Sequence, residues 1–336
     1  MSTSPLPFRT FARKLPHCLL VSASLLAIAT LPAVAEEEVG TSAVPLIDQS
    51  KVPKPKPKPK PPPVQAPKPP PVKSIGRVHF PEPTVDNNAI IYAVTANNEL
   101  LWYCHSGRKD GSFSWSAPAG KKVGTGWDFK QVFSGGGGVI YGITNDGELM
   151  WYRHDGRGDG TMKWATSAGK KVGSGWNFKQ VFSDGSGVIY AITDDNELMW
   201  YRHDGRQDGT MKWAANNGRK VGTGWDFKHV FCGGGGVIYG ITADNDLMWY
   251  RHDGRSDGTM RWASSSGKKV GSGWDVKQAF SGGGGIIYVI TANNDLMWNR
   301  HDGRADGTFS WAAPTGKKVG SGWAVKDVFP GEIAVP

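Results

Sequence analysis

Short, strand-like apolar runs bounded by polar, turn-forming residues recur from about Ile90 toward the C-terminus. Between positions 178 and 221, Phe178–Phe182, Val188–Thr193 and Leu198–His203 each read as a strand. Met211–Ala214 begins a fourth that runs on toward Val221. Asp194-Asp195-Asn196 separates two of these runs, as do Asn145-Asp146-Gly147 and Ala96-Asn97-Asn98 in equivalent places. Asn and Gly tolerate the positive φ that a tight hairpin requires. Glycines 135–138 mark another turn. No segment sustains a 3.6-residue apolar period, which excludes a helical solenoid.

The pattern repeats. Trp127, Trp176, Trp225, Trp274 and Trp323, each following a Gly, stand 49 residues apart. Trp102, Trp151, Trp200, Trp249 and Trp298 form a second series at that spacing, and Trp115, Trp164, Trp213, Trp262 and Trp311 a third. A four-stranded unit of this size cannot bury both faces of its sheet alone, and β-sheet repeats satisfy that need by closing radially into a ring. The predicted fold is therefore all-β, a five-bladed β-propeller of 49-residue, four-stranded repeats. The motif of Phe129–Phe133 recurs at 178, 227, 276 and 325, whereas the Tyr-containing strand starts one step earlier, at Ile91-Tyr92. Phe80-Pro81-Glu82-Pro83 falls where the missing partner belongs, and prolines remove ladder donors. Val325–Phe329, near the C-terminus, is thus expected to complete the blade begun by Ile90–Trp115.

Upstream of the repeats the composition changes. Arg9, Arg13 and Lys14 precede an apolar stretch, Cys18–Ala35, that ends in Ala33-Val34-Ala35, so residues 1–35 read as an export signal. The competing reading is a retained membrane anchor. Residues 36–74 form a linker, with 11 Pro and 5 Lys between Pro53 and Pro71. This composition prefers extended polyproline II and spans roughly 60 Å at about 3.1 Å per residue. Membrane or wall contact through these lysines is one expectation, and a solvated tether is the other. Residues 75–336 are assigned to the propeller, and the expected location is secreted, periplasmic or cell-surface. The first 74 residues carry ten Lys or Arg and four acids, so they supply +6 of the total charge of +9. A propeller near neutrality is a poor nucleic-acid binder. Cys104 and Cys232 replace Arg or Ser of sister repeats, and two isolated replacements make neither a disulfide framework nor a metal site.

The loop His154-Asp155-Gly156-Arg157-Gly158-Asp159-Gly160-Thr161-Met162-Lys163-Trp164 carries the candidate chemistry. A sugar site needs an aromatic face for ring C–H groups and charged or amide groups for hydroxyls. Trp115, Trp164, Trp213, Trp262 and Trp311 supply the first, and blade packing explains them equally well. Asp110, Asp159, Asp208, Asp257 and Asp306 supply carboxylates, with turn capping as the alternative. Arg108, Arg157, Arg206, Arg255 and Arg304 supply guanidinium groups, with a salt bridge as theirs. The histidines His105, His154, His203, His252 and His301 each stand alone in a blade and read as structural. No cofactor or metal motif is present.

The order of elements resembles the tachylectin-2 type of β-propeller lectin. A Phe-Lys strand, a Leu- or Ile-Tyr strand, a loop ending in Trp and a Gly-Trp twelve residues later recur in all five repeats, as Trp164 and Trp176 show. The resemblance covers about Ile90–Phe329 and implies N-acetylated sugars, GlcNAc or GalNAc, bound at one site per blade near this loop and the connecting segment from the previous blade. Gly160-Thr161-Met162-Lys163 departs from that family's Asn- and Asp-rich loop. The expected function is a multivalent carbohydrate-binding lectin with glycans or glycoconjugates as partners. The alternative is an envelope-associated protein-interaction scaffold without sugar binding. An enzyme needs single-copy residues converging on one substrate, and the repeats supply no nucleophile, base and orienter of that kind.

Overall fold

The computed structural model describes residues 88–214 and 218–332. The signal, the Pro/Lys linker and Phe80–Pro83 lie outside the described residues. Five four-stranded antiparallel sheets form a ring. Blade 1 holds β1 (Ala89–Val94), β2 (Leu100–His105) and β3 (Trp115–Gly124). Blade 2 holds β4 (Gln131–Gly136), β5 (Val139–Ile143), β6 (Leu149–Arg153) and β7 (Lys170–Gly173). Blade 3 holds β8 (Gln180–Gly185), β9 (Val188–Ile192), β10 (Leu198–Arg202) and β11 (Arg219–Gly222). Blade 4 holds β12 (His229–Gly234), β13 (Val237–Ile241), β14 (Leu247–Arg251) and β15 (Lys268–Gly271). Blade 5 holds β16 (Gln278–Gly283), β17 (Ile286–Ile290), β18 (Leu296–Arg300) and β19 (Lys317–Gly320). The last strand, β20 (Asp327–Pro330), returns to blade 1.

The closure follows the sequence reading. β20 pairs antiparallel with β1, setting Tyr92 opposite Phe329 and Ala93 opposite Val328. The paired segment lies two residues C-terminal to the expected start, because Phe129 and its equivalents precede their strands and pack in the connection rather than in the ladder. The fourth strand also differs from expectation. In blade 3 it is Arg219–Gly222, and the Met211–Ala214 region keeps only an isolated bridge between His203 and Trp213. The hairpin turns carry the expected positive φ, at Asn98, Asn196, Asn245 and Asn294 and at Gly147.

Burial is organised between blades. Each of the five apolar clusters takes side chains from two neighbouring sheets; Phe133, Tyr141 and Trp151 of blade 2, for example, pack with Val181, Ile189 and Ala191 of blade 3. The second strand of blades 2 to 5 is buried along its length, as Val139–Ile143 is, and that of blade 1 at every residue but Ile90, because sheets cover it on both sides. The five inner strands, β4, β8, β12, β16 and β20, surround an axial channel of about 130 Å³ lined by repeated Val, Phe and small residues, among them Ser134, Ser183 and Ser281. Cys104 and Cys232 are buried free thiols in different sheets.

Removing β20 would leave Tyr92 and Ile91 of β1 without their inner neighbour and expose clusters shared with blades 2 and 5. Deletion of residues 327–336 is expected to lower the melting temperature sharply and broaden the transition. Differential scanning calorimetry checks this, and an unchanged melting temperature would contradict the closure.

Candidate functional site

The candidate loop joins the third strand to the fourth in every blade, and its fold is fixed by hydrogen bonds. In blade 2, the Gly156 carbonyl accepts from the Gly160 N–H at 2.8 Å, which curls the chain into a tight turn. Gly160 has φ +70, and a Cβ there would lie 2.5 Å from the ring of Trp102 in blade 1. Glycine follows the aspartate five times because the turn is pressed flat on the neighbouring blade.

The histidine at the start of the loop ties two blades together. His154 Nε2 lies 2.7 Å from the Thr161 carbonyl, and a carbonyl only accepts, so Nε2 carries the proton. Nδ1 therefore accepts the hydroxyl proton of Tyr92 in blade 1, at 2.6 Å. The same bond joins Tyr141 to His203, Tyr190 to His252 and Tyr239 to His301, each at 2.8 Å. Tyr288 to His105, at 2.7 Å, completes the circle. All five imidazoles are buried and structural, and burial holds each pKa below the usual 6.5.

Arg, Asp and Trp of the loop take three separate places. The guanidinium groups face the inner strand of the preceding blade. Arg206 Nε donates to the Gly135 carbonyl at 2.8 Å, Arg304 Nη1 to Gly234 at 2.7 Å and Arg108 Nε to Gly282 at 2.7 Å. Two blades substitute a carboxylate for the carbonyl: Arg255 pairs with Asp184 at 2.8 Å and Arg157 with Glu332 at 2.6 Å. Asp184 is fully buried, and its carboxyl is pushed up to about 6 by that burial, against the opposing pull of Arg255.

The loop aspartates sit at the exposed tip. Asp159 Oδ1 accepts from the Thr161 hydroxyl at 2.7 Å and its N–H at 3.0 Å, closing a local turn. Asp208, Asp257 and Asp306 make both bonds to Thr210, Thr259 and Thr308, and Asp110 accepts the Ser112 N–H. Bonds from the threonine hydroxyls hold the carboxyls of Asp159, Asp208 and Asp257 below the usual range.

The loop tryptophans are half-buried at the outer edge. Trp164 Nε1 donates to the Val123 carbonyl of blade 1 at 2.9 Å, while its ring lies 4.6 Å from that of His154. Trp115, Trp213, Trp262 and Trp311 bond Val319, Val172, Val221 and Val270 in the same way. Arginine thus anchors to an innermost strand and tryptophan beside an outermost one, three strand spacings or roughly 14 Å apart. The loop does not gather the three at one point.

A groove lies beside each loop tryptophan, between the loop and the segment connecting the preceding blade. Its other wall is the Gly-Trp tryptophan, with Trp127 centred 5.7 Å from Trp164. Of the Gly-Trp series, Trp127, Trp176, Trp225 and Trp323 are buried to 5–7% exposure, whereas Trp274 is half-buried. Tyr103, Tyr152, Tyr201 and Tyr250 complete the aromatic lining. Their regular recurrence was the available signal. Two grooves open into hollows: about 630 Å³ between blades 4 and 5 and about 190 Å³ between blades 5 and 1. No cluster of His, Cys, Asp or Glu suited to a metal occurs among the described residues.

A closed ring of five four-stranded sheets, with a Trp–Trp pair recurring between each blade and its neighbour, defines a five-bladed β-propeller. The Tachylectin family profile matches residues 72–162 and 93–328, and the chain belongs to that family. It is a carbohydrate-binding lectin, not an enzyme. No curated protein sequence matches it. Among solved structures it is similar to the fungal lectin of Aleuria aurantia, a six-bladed β-propeller with a novel fucose recognition mode. Identity is 15%, the TM-score 0.35, and the match covers 70% of this chain and 75% of that one. The SapL1 lectin in complex with alpha methyl fucoside matches at 18% identity and TM-score 0.34, covering 70% and 82%. Human WBSCR16 matches at 15% identity and TM-score 0.35 over 69% of this chain, which spans 65% of that protein's length.

The depressed histidine pKa values set a pH dependence. As pH falls through 6.5 the unfolded chain takes up protons first, so the five neutral histidines stabilise the ring fully above 6.5 and progressively less below it. The melting temperature should be level from about pH 8 to 7 and decline below about pH 6.5. Tyr141→Phe leaves His203 Nδ1 without its donor and should cost about 1–3 kcal/mol in chemical denaturation at neutral pH.

Proposed function

We propose that the protein is a multivalent lectin for N-acetylated hexosamines, GlcNAc or GalNAc, with one shallow site in each inter-blade groove. The observation that carries this reading is the fivefold pairing of a half-buried loop tryptophan with a second tryptophan on the connecting segment. Trp115, Trp164, Trp213, Trp262 and Trp311 present the faces on which a pyranose ring stacks. Asp110, Asp159, Asp208 and Asp306 spend one carboxylate oxygen on the local turn and bring the second to the loop tip for sugar hydroxyls, whereas the second oxygen of Asp257 pairs with Arg261 at 3.0 Å. Arg108, Arg157, Arg206, Arg255 and Arg304 clamp the loop to the preceding blade and so fix the tryptophan's position. Single shallow sites bind feebly, and linkage on a dense glycan raises apparent affinity by roughly 10² to 10⁴ when several engage at once. Export to the periplasm or cell surface, with the Lys/Pro segment as a tether, would set the ring among polysaccharides and glycoconjugates.

Titration calorimetry with GlcNAc, GalNAc and a polyvalent conjugate of each tests the proposal. Weak monosaccharide binding with a stoichiometry near five and strong binding to the conjugate are expected. Trp164→Ala should remove about one site in five without unfolding the ring. Failure to bind any glycan on a broad array would leave the protein-interaction scaffold as the better reading.

A further inference from the structure

The five grooves share one architecture, but one of them has lost the side chain that fills it. In the grooves of blades 1 to 4 a tyrosine from the third strand lies on the Gly-Trp tryptophan. The ring centres are 4.7 Å apart for Tyr103 and Trp323, 4.9 Å for Tyr152 and Trp127, 4.8 Å for Tyr201 and Trp176, and 4.9 Å for Tyr250 and Trp225. The corresponding residue of blade 5 is Asn299. With no phenol to cover it, Trp274 is half-buried where its four sisters are buried.

Two further changes accompany this one. Phe129, Phe178 and Phe227 are replaced in blade 5 by Val276, and Gly142 and Gly240 by Val289. The pair is sterically linked, since a Cβ at Gly142 would lie 2.8 Å from the Phe129 ring; blade 3 keeps Phe178 with the small Ala191, and the larger Val289 is accompanied by the smaller Val276. The exchange retains an apolar floor, deepened by Met297, beneath the space the tyrosine vacated. Phe309, 69% exposed, stands at the mouth in place of the methionines of blades 2 to 4. The hollow measures about 630 Å³, within the range of small-molecule pockets, against about 190 Å³ in the neighbouring groove that keeps Tyr103.

We propose that the groove between blades 4 and 5 is a deep, specialised site for a pyranose that carries an apolar acyl or methyl substituent. This inference rests on the lectin reading above and adds that the five sites are unequal. A pyranose has nearly the dimensions of a phenol ring, so it takes the position on Trp274 that tyrosine occupies in the other four blades. Its apolar face stacks on the indole, with Trp311 and Phe309 alongside. The substituent reaches the Val276, Val289 and Met297 floor, which offers it no hydrogen bond and favours a methyl group over a hydroxyl. Asn299 supplies an amide for a ring hydroxyl at the rim.

Asn299→Tyr is the direct test, because it restores the residue of the other blades, and blade 1 shows that tyrosine fits beside a valine, Val325. Calorimetry on the full chain with GlcNAc should show one class of sites, of stoichiometry near one, about tenfold tighter than the rest, a margin that one added aromatic contact supplies. Glucose, without the acetyl group, should not show it. Asn299→Tyr should abolish that class alone, leave the weaker sites and keep or raise the melting temperature. Val276→Phe combined with Val289→Gly, which refills the floor, should do the same. Unchanged GlcNAc binding by both folded variants, or a wild-type titration with five equal sites, overturns the inequality and leaves the lectin reading intact. A wild-type protein that binds no saccharide overturns both.

Discussion

Every feature of the ring depends on one junction between neighbouring blades, the hydrogen bond from a buried tyrosine hydroxyl to a buried histidine. It spans two sheets and is closed on the far side by a carbonyl of the loop, so the histidine fixes the loop of one blade against the second strand of another. The apolar clusters obey the same arrangement, each drawing on two sheets. No blade holds a complete core, and none presents its loop independently of its neighbour. Stability and site geometry are therefore properties of the junction. Damage to one junction loosens a core and a groove together, and the closing contact of β20 with β1 matters because it completes blade 1, which takes part in two junctions, Tyr92–His154 and Tyr288–His105.

Much of this was legible from spacing. The 49-residue period, three tryptophans per repeat and a Tyr strand that begins one step ahead of its partner led to five blades and a C-terminal closure, and the structure shows both. Turn residues were equally legible, since Asn196 and Gly147 adopt the positive φ their chemistry permits. The roles of repeated polar residues were not. Arg206 looks the same in sequence whether it meets a sugar or the Gly135 carbonyl, and only the ring places those groups together across 71 positions. The fourth strand was misjudged in extent: Met211–Ala214 looks strand-like, yet in blade 3 Trp213 makes only an isolated bridge to His203 and the ladder is Arg219–Gly222. Regularity itself obscured the groove: a tryptophan present five times reads as packing, and packing is what four of the Gly-Trp residues do.

Repetition and departure from it carry different information. Residues shared by all five units build the ring, because the junction must be made five times over. Asp184 shows that a departure can be neutral to architecture: it gives Arg255 a carboxylate where Arg206 has a carbonyl, and the loop keeps its place. The changes in blade 5 are of another kind. Phe to Val276 and Gly to Val289 offset one another in the floor, whereas Tyr to Asn299 has no counterpart that fills the lost volume, so the space stays open at the surface. A ring held by its junctions tolerates that loss, since the Tyr239–His301 bond and the Trp311–Val270 bond of the same blade are intact. The scaffold's redundancy is thus what lets one groove depart from the packing that the other four retain.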